Sequence, residues 1–181
     1  MRIRPMAFVV VAILIGIVAS VLTAAALKPD TLAVERAVDI KASPEHIFPL
    51  IDDLRRWPEW PTDDEQASAT RTFGSISRGK GATSEWTGSG SAGSGRMEIT
   101  DSVPPSKVVV AVDFKKPFVA HNVNEFTLER RRDSTHVTWS WRGQNVFVLK
   151  VMSLVTNTET MMGGHFESGL QALKRKAESQ P

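Results

Sequence analysis

Apolar and polar residues alternate along much of the chain between positions 31 and 142, and this pattern predicts β-strands. In the clearest run, 107–114, four alternate residues share one face: Val108, Val110, Val112 and Phe114. The other runs are Thr31–Lys41, Gln66–Phe73, Gly81–Thr87, Arg96–Asp101, Phe118–Arg130 and Thr135–Arg142. Turn residues rather than helices separate the six runs that follow position 65 in the chain, and this favours an antiparallel meander.

A short helix is predicted directly after the first strand. Ser43 suits the N-cap position, where its hydroxyl accepts a bond from a free backbone N–H, and Pro44 suits the first helical position. An apolar stripe follows at helical spacing until prolines end the segment beside Trp57 and Trp60. These tryptophans are expected either to close the core or to line the mouth of a cavity.

The end of the chain changes to a helical period. A long helix is predicted from about Phe147 to Glu178, and its first part is a candidate for a separate turn. Its apolar stripe consists of Val151, Val155, Met162, Phe166, Leu170 and Leu173. The Gly163-Gly164 pair inside it predicts a kink or close approach to another backbone, because glycine costs about 1 kcal/mol relative to alanine there.

The N-terminal segment has a different character. Residues 6–27 contain no charge and, as a helix, would span roughly 33 Å, enough to cross a bilayer. Arg2 and Arg4 precede this run, so residues 1–5 are expected in the cytoplasm and the domain on the periplasmic side of a single-pass anchor. A cleaved signal peptide ending near Ala26 is the alternative, although its apolar core would be unusually long.

The content of charged residues, cysteine and histidine limits the classes of partner and cofactor that the sequence leads us to expect. The chain has 22 Lys+Arg and 20 Asp+Glu, and the two arginines before the anchor account for the excess. The exported part is therefore formally neutral, which argues against a nucleic-acid partner. The sequence has no cysteine and no zinc-binding histidine pattern, so no metal or cofactor is expected.

The order of strand, short helix, six strands and long helix resembles the helix-grip fold of the START/Bet v 1-like superfamily, also called SRPBCC or polyketide cyclase/dehydrase-like. The segments that carry the resemblance are 34–36 and 40–45 with Phe48, Trp57 and Trp60, then 79–82 with Trp86, 95–97, 116–118, 137–139 and 166–170. It is closest to membrane-anchored bacterial members. The implied architecture is α+β, with a curved seven-stranded sheet around the C-terminal helix. The implied domain is 32–178, between a linker at 28–31 and a tail at 179–181.

The resemblance implies binding of a hydrophobic small molecule or lipid between the sheet and the C-terminal helix. No catalytic residue is assigned. The residues expected to line the cavity are Trp86, Val110, Val112, Phe114, Phe126, Trp139, Trp141, Met162 and Phe166.

Two other functions stay open. One is a polyketide cyclase/dehydrase-like enzyme with an inward acid–base pair, for which His121 and Glu125, four apart on one strand, are candidates, and Glu85 is another. These groups would be solvated if they faced outward. The other is an envelope interaction protein without a ligand. The glycine-rich stretch 88–95 is expected to be a hairpin connection rather than a phosphate loop.

Overall fold

The structure is a computed structural model that describes residues 4–61, 68–116, 119–154 and 158–179. The helices are α1 (Arg4–Ala26), α2 (Pro44–Asp52), α3 (Phe147–Met152) and α4 (Thr158–Glu178), with short 3-10 helices at Leu54–Glu59 and Gly90–Ala92. The strands are β1 (Thr31–Ile40), β2 (Thr70–Phe73), β3 (Thr83–Thr87), β4 (Ser94–Val103), β5 (Lys107–Lys116), β6 (Ala120–Arg130) and β7 (Thr135–Gln144).

The seven strands form one sheet in the order β1-β7-β6-β5-β4-β3-β2. Strands β2 to β7 follow one another as an antiparallel meander, and β1 lies at the free side of β7. This arrangement confirms the predicted fold class. Parts of two predicted strands, residues 66–67 and residue 118, lie outside the described residues, and so does Val155 of the predicted helical stripe.

Each strand turns one set of alternate residues toward α4, and this side of the sheet is called the inner face below. Phe166, Leu170 and Leu173 of α4 are buried in the core that the inner face provides. Arg36 Nε binds Glu167 Oε1 at 2.8 Å, and the Lys41 backbone N–H binds Glu178. Helix α4 therefore runs along β1 in the same direction, and its first turns lie toward the start of β1.

The corner after α2 is held by two indole N–H groups. Trp57 donates to the carbonyl of Ile51 at 2.8 Å, and Trp60 donates to the carbonyl of Leu50 at 2.9 Å. Both carbonyls lie in the last turn of α2, where helices lack internal donors. The expected N-cap bond from Ser43 is absent, although Pro44 does occupy the first turn.

Aromatic rings fill the centre of the space between sheet and helix. Trp139 lies 4.8 Å from Phe126 and 4.6 Å from Phe166, measured between ring centroids. Trp60 adds edge contacts to Phe126 at 6.2 Å and to Trp139 at 6.3 Å, while Trp57 lies against Trp60 at 5.1 Å. Trp60 is buried and Trp57 is half-buried, so both serve in packing, as one of the two sequence interpretations expected.

Gly163 makes room for a side chain rather than for a backbone. A Cβ at this position would lie 2.1 Å from the guanidinium of Arg36. Arg36 shares the inner face of β1 with Val34 and Ile40, where sequence alternation alone left a charge unexplained. The glycine lets this charge lie flat against the helix and reach Glu167 one turn further along.

The chain divides into two compact units, Leu32–Gln144 with Glu159–Pro181, and Met1–Thr31 with Asn145–Thr158. The first holds the sheet and nearly all of α4. In the second, α1 and α3 contact each other. Among the described residues, one helix is long and apolar enough to cross a membrane, over Phe8–Ala26.

We expect Gly95→Ala to lower the free energy of unfolding by about 1–3 kcal/mol through overpacking. The added Cβ would lie 2.3 Å from the ring of Trp86 and 2.5 Å from the backbone oxygen of Asp113, which cannot move away easily. Urea unfolding of the detergent-solubilised chain, followed by circular dichroism, measures the change. Gly164→Ala is the control. Nothing lies within 4 Å of its Cβ, so stability should rise by up to about 1 kcal/mol. Equal effects at both positions would contradict the packing described.

Candidate functional site

The register of the sheet aligns inner-face residues in rows that cross the strands. One row, called the asparagine row, runs from β2 to β7 through successive paired residues. Its members are Phe73, Ser84, Met97, Val112, Asn122 and Gly143. The row lies near the end of the sheet where β7 ends. Because α4 runs in the same direction as β1, the first turns of α4 lie toward this end of the sheet.

Two polar side chains in this row are buried without hydrogen-bond partners. Asn122 is 7% exposed and Ser84 is 1% exposed. Neither Asn122 Oδ1 nor Ser84 Oγ has a partner among the described residues. Leaving such a group unpaired costs about 1–3 kcal/mol. A buried polar group of this kind calls for a water or a ligand at the same place.

Asn124, a neighbour of Asn122 on the same strand, has its side-chain oxygen hydrogen-bonded within the protein. It lies two residues further along β6 on the same inner face and is 6% exposed. Its Oδ1 accepts a hydrogen bond from Trp139 Nε1 at 2.8 Å. Two buried asparagines therefore occur side by side on one face, and only Asn124 has its side-chain oxygen paired within the described chain.

The sheet leaves space around Asn122 by placing glycine opposite it. Gly143 pairs with Asn122 across β6 and β7, and a Cβ there would lie 2.1 Å from Asn122 Oδ1 and 2.5 Å from the ring of Trp141. Strand interiors seldom favour glycine, which often marks a position where another group approaches the backbone closely. Here the Asn122 amide and the Trp141 ring occupy the place that a side chain would take.

A second row, called the rim row, lies one step nearer the end of the sheet. It is formed by Arg71, Trp86, Gly95, Phe114 and Ala120. Trp86 meets Phe114 edge-on with ring centroids 5.2 Å apart, and its indole N–H donates to the carbonyl of Ala92 at 2.8 Å. Arg71 is half-buried, and burial lowers the pKa of its guanidinium. The rim row thus combines two aromatic rings with a positive charge.

The predicted lining residues fall into two groups in the structure. Phe126, Trp139 and Phe166 pack on one another in the aromatic centre, with Trp141 beside Phe166 at 6.3 Å. The other sheet members, Trp86, Val110, Val112 and Phe114, lie in or next to the two rows, and Met162 of α4 is half-buried against the core. The sheet members all belong to the inner face, and Met162 precedes Phe166 by one helical turn.

The candidate acid–base residues face the other way. His121 is 64% exposed in its side chain and binds Asp113 at 2.6 Å on the outer face. Glu125 is exposed on that same outer face, and Glu85 is exposed beside Lys115. The hypothesis of an inward acid–base pair built from these residues is therefore wrong. Residues of β6 alternate between the two faces of the sheet. Because Asn122, Asn124 and Phe126 lie on the inner face, His121 and Glu125 lie on the outer face.

The strand pattern of β6 contained the signal for the missed asparagines. Phe126 and Leu128 share one face of the strand, and continuing that alternation toward the start of the strand places Asn124 and Asn122 on the same face. Within the part of the chain that the structure describes, no group of three or more histidine or carboxylate side chains is placed to hold a metal ion.

Several solved structures share this fold. Protein CV1439 of Chromobacterium violaceum aligns with a TM-score of 0.59 and 14% identity, over 83% of this chain and 99% of that protein. The Aha1 dimer of Colwellia psychrerythraea gives 0.57 and 18%, over 81% and 96%. A protein of Rhizobium leguminosarum gives 0.60 and 12%, over 83% and 96%. Identities this low establish similarity of fold alone.

No curated protein matches the chain. A family model described as "Polyketide cyclase / dehydrase and lipid transport" matches residues 31–178, which span the whole sheet and α4. The fold, the element order and this match over most of the chain agree, and the chain belongs to the polyketide cyclase/dehydrase and lipid transport family.

Proposed function

We propose that the protein is a membrane-anchored binding protein that holds a hydrophobic small molecule or lipid between the inner face of its sheet and α4. The ligand site is formed by the asparagine row and the rim row, with Met162 on the helix side. The proposal assigns no covalent chemistry to the domain.

The observation that carries this proposal is the unpaired oxygen of Asn122. A protein without a ligand at this place would gain stability by replacing a buried, unpaired amide with an apolar side chain. The chain instead keeps the amide, and Gly143 opposite it provides the room that the amide itself occupies. Such an arrangement suits a ligand that supplies the missing hydrogen bond.

The surrounding residues define the chemistry of that ligand. Trp86, Phe114 and Met97 offer apolar and aromatic surface, which favours an apolar body. Asn122 and Ser84 offer amide and hydroxyl groups within the same row, which favours one or two polar groups on that body. The ligand class is therefore an amphiphile such as a lipid or a hydroxylated polycyclic molecule. Both lie within the range that the family description names.

The N-terminal helix supplies the membrane attachment. Its residues from Phe8 to Ala26 expose large apolar side chains along their length, and Arg2 and Arg4 precede them. By the positive-inside rule, these arginines stay in the cytoplasm and the sheet domain lies in the periplasm. A domain held at a membrane surface is well placed to take up an amphiphile from it.

Replacing the two asparagines should change stability in opposite directions. Asn122→Leu removes an unpaired buried amide, so the free energy of unfolding should stay equal or rise by about 1 kcal/mol. Asn124→Leu leaves the Trp139 N–H without its acceptor, so the free energy of unfolding should fall by about 1–3 kcal/mol. Urea titration of both variants in the same detergent, monitored by circular dichroism, gives the comparison.

The Asn122→Leu variant also tests ligand binding. Native mass spectrometry of the full chain, extracted from membranes in mild detergent, should show wild-type protein carrying a bound lipid or small molecule. Asn122→Leu should retain roughly three- to tenfold less, the loss of one hydrogen bond. Gln144→Leu, on the outer face of β7, is the matched control and should retain the wild-type amount. Wild-type protein without any bound molecule, or equal retention by Asn122→Leu, would refute the site.

The proposed topology has its own test, because the chain has no native cysteine. A membrane-impermeant maleimide added to intact Gram-negative cells should label Ser179→Cys directly, and should label Ile3→Cys only after lysis. The labelled protein should stay in the membrane pellet after an alkaline wash and keep the mass of the uncleaved chain. A mass lowered by the first 26 residues would identify a cleaved signal peptide instead.

A further inference from the structure

Helix α3 presents an inverted pattern of polarity. Phe147, Val148 and Met152 are exposed, at 50%, 38% and 43%, and Leu154 just beyond the helix is 37% exposed. Lys150 is the single charge of the helix, yet its side chain is only 8% exposed. Helices at a water-facing surface normally show the opposite arrangement, with charges outward and apolar residues inward.

The buried lysine is neutralised inside its own unit. Lys150 Nζ binds Asp30 Oδ1 at 2.5 Å, and the ammonium holds the pKa of Asp30 below its usual value. The exposed residues of α3 itself are therefore apolar, and the exposed member of the ion pair is Asp30, outside the helix. A helix whose only charge is turned away from its exposed residues and paired is suited to a nonpolar neighbour on that exposed side.

Both ends of α3 are fixed to the residues that directly follow α1. Lys28 Nζ donates to the carbonyl of Ser153 at 3.2 Å. On the other side, the backbone N–H of Asn145 donates to the carbonyl of Asp30, and its side-chain amide donates to the carbonyl of Pro29, both at 2.8 Å. Helix α3 also contacts α1. The position of α3 is thus set by the end of the apolar helix.

Exposed apolar residues occur both near the end of α1 and on α3. Leu22 and Leu27 near the end of α1 are 45% and 82% exposed, and the exposed residues of α3 lie on the segment tied to this end. A helix that crosses a bilayer places its end at the headgroup boundary. An apolar segment fixed to that end therefore reaches the same boundary, where interfacial helices bury their apolar faces about 5–10 Å deep.

We propose that α3 is an interfacial membrane segment, with Phe147, Val148 and Met152 inserted among the lipid headgroups and acyl chains beside the anchor. This inference rests on the membrane anchoring proposed above and goes beyond it. It assigns the domain a second lipid contact, separate from the ligand site on the sheet. A single crossing helix lets a domain turn and tilt freely, whereas a second contact limits both motions.

Site-directed spin labelling of the full chain tests this inference without removing native cysteines. Nitroxides are attached to Phe147→Cys and Met152→Cys, at exposed positions where a label displaces little. Val18→Cys, in the middle of α1, reports on the anchor, and Ser168→Cys, exposed on α4, reports on water. Each protein is reconstituted into phosphatidylcholine vesicles with a fraction of phosphatidylglycerol, and accessibility to oxygen and to a water-soluble nickel complex is measured by power saturation.

We expect the labels at 147 and 152 to be several-fold more accessible to oxygen than to the nickel complex. Their ratio of the two accessibilities should resemble that of the label at Val18 rather than that of the label at Ser168. If Val18 lies in lipid while 147 and 152 behave like Ser168, the inference is overturned and the anchor stands. If Val18 itself behaves like Ser168, the anchor fails and this inference falls with it. Labels at 147 and 152 shielded from both reagents and broadened by a neighbouring spin would indicate a second copy of the chain, which would also overturn it.

Discussion

The packing of α4 against the aromatic centre of the sheet is the interaction on which the rest of the structure depends. Phe166 inserts between the rings of Trp139 and Trp141, and Leu170 and Leu173 continue the contact over the aliphatic end of the core. Once the helix is seated there, the space between sheet and helix divides into two parts. Where the rings and the aliphatic residues meet α2, the interior is filled. Toward the first turns of α4, the inner face carries glycines, half-buried aromatics and the unpaired polar groups of Asn122 and Ser84.

The fold was predictable because its determinants are local. Alternation in runs such as 107–114 reports a half-buried strand, and the spacing of Phe166, Leu170 and Leu173 reports a helix with one apolar face. The site depends on how distant strands align, which no single run contains. Ser84, Met97, Val112, Asn122 and Gly143 form a row only because each hairpin sets its register, with irregularities in β4 near Gly95 and between Ile99 and Asp101. A shift of one residue in any strand would turn its side chains to the other face.

Three polar residues interrupt the apolar pattern of their strand or helix, and each has a structural explanation that involves residues elsewhere in the chain or the candidate site. Arg36 interrupts an apolar face in β1, and Gly163 opposite it provides the space that its guanidinium needs. Asn122 breaks the apolar alternation of β6 and marks the candidate site. Lys150 is a lone charge in an apolar stretch, and its buried side chain pairs with the exposed carboxylate of Asp30. For Arg36 and Lys150 the local rule fails where a second segment of the chain completes the environment, and for Asn122 the proposed ligand would do so. Such exceptions are therefore better guides to function than the regular pattern that surrounds them.

The distribution of tryptophan gives the protein an optical property of its own. The chain contains five tryptophans and no tyrosine. Trp60, Trp86, Trp139 and Trp141 are buried in the core, and Trp57 packs against it. Essentially all ultraviolet emission of this protein therefore comes from one side of its sheet, while the outer face and the N-terminal apolar helix contribute none. Spectral changes on mixing with an amphiphile can be assigned to the core and its edge directly, because all five tryptophans lie in the core or pack against it.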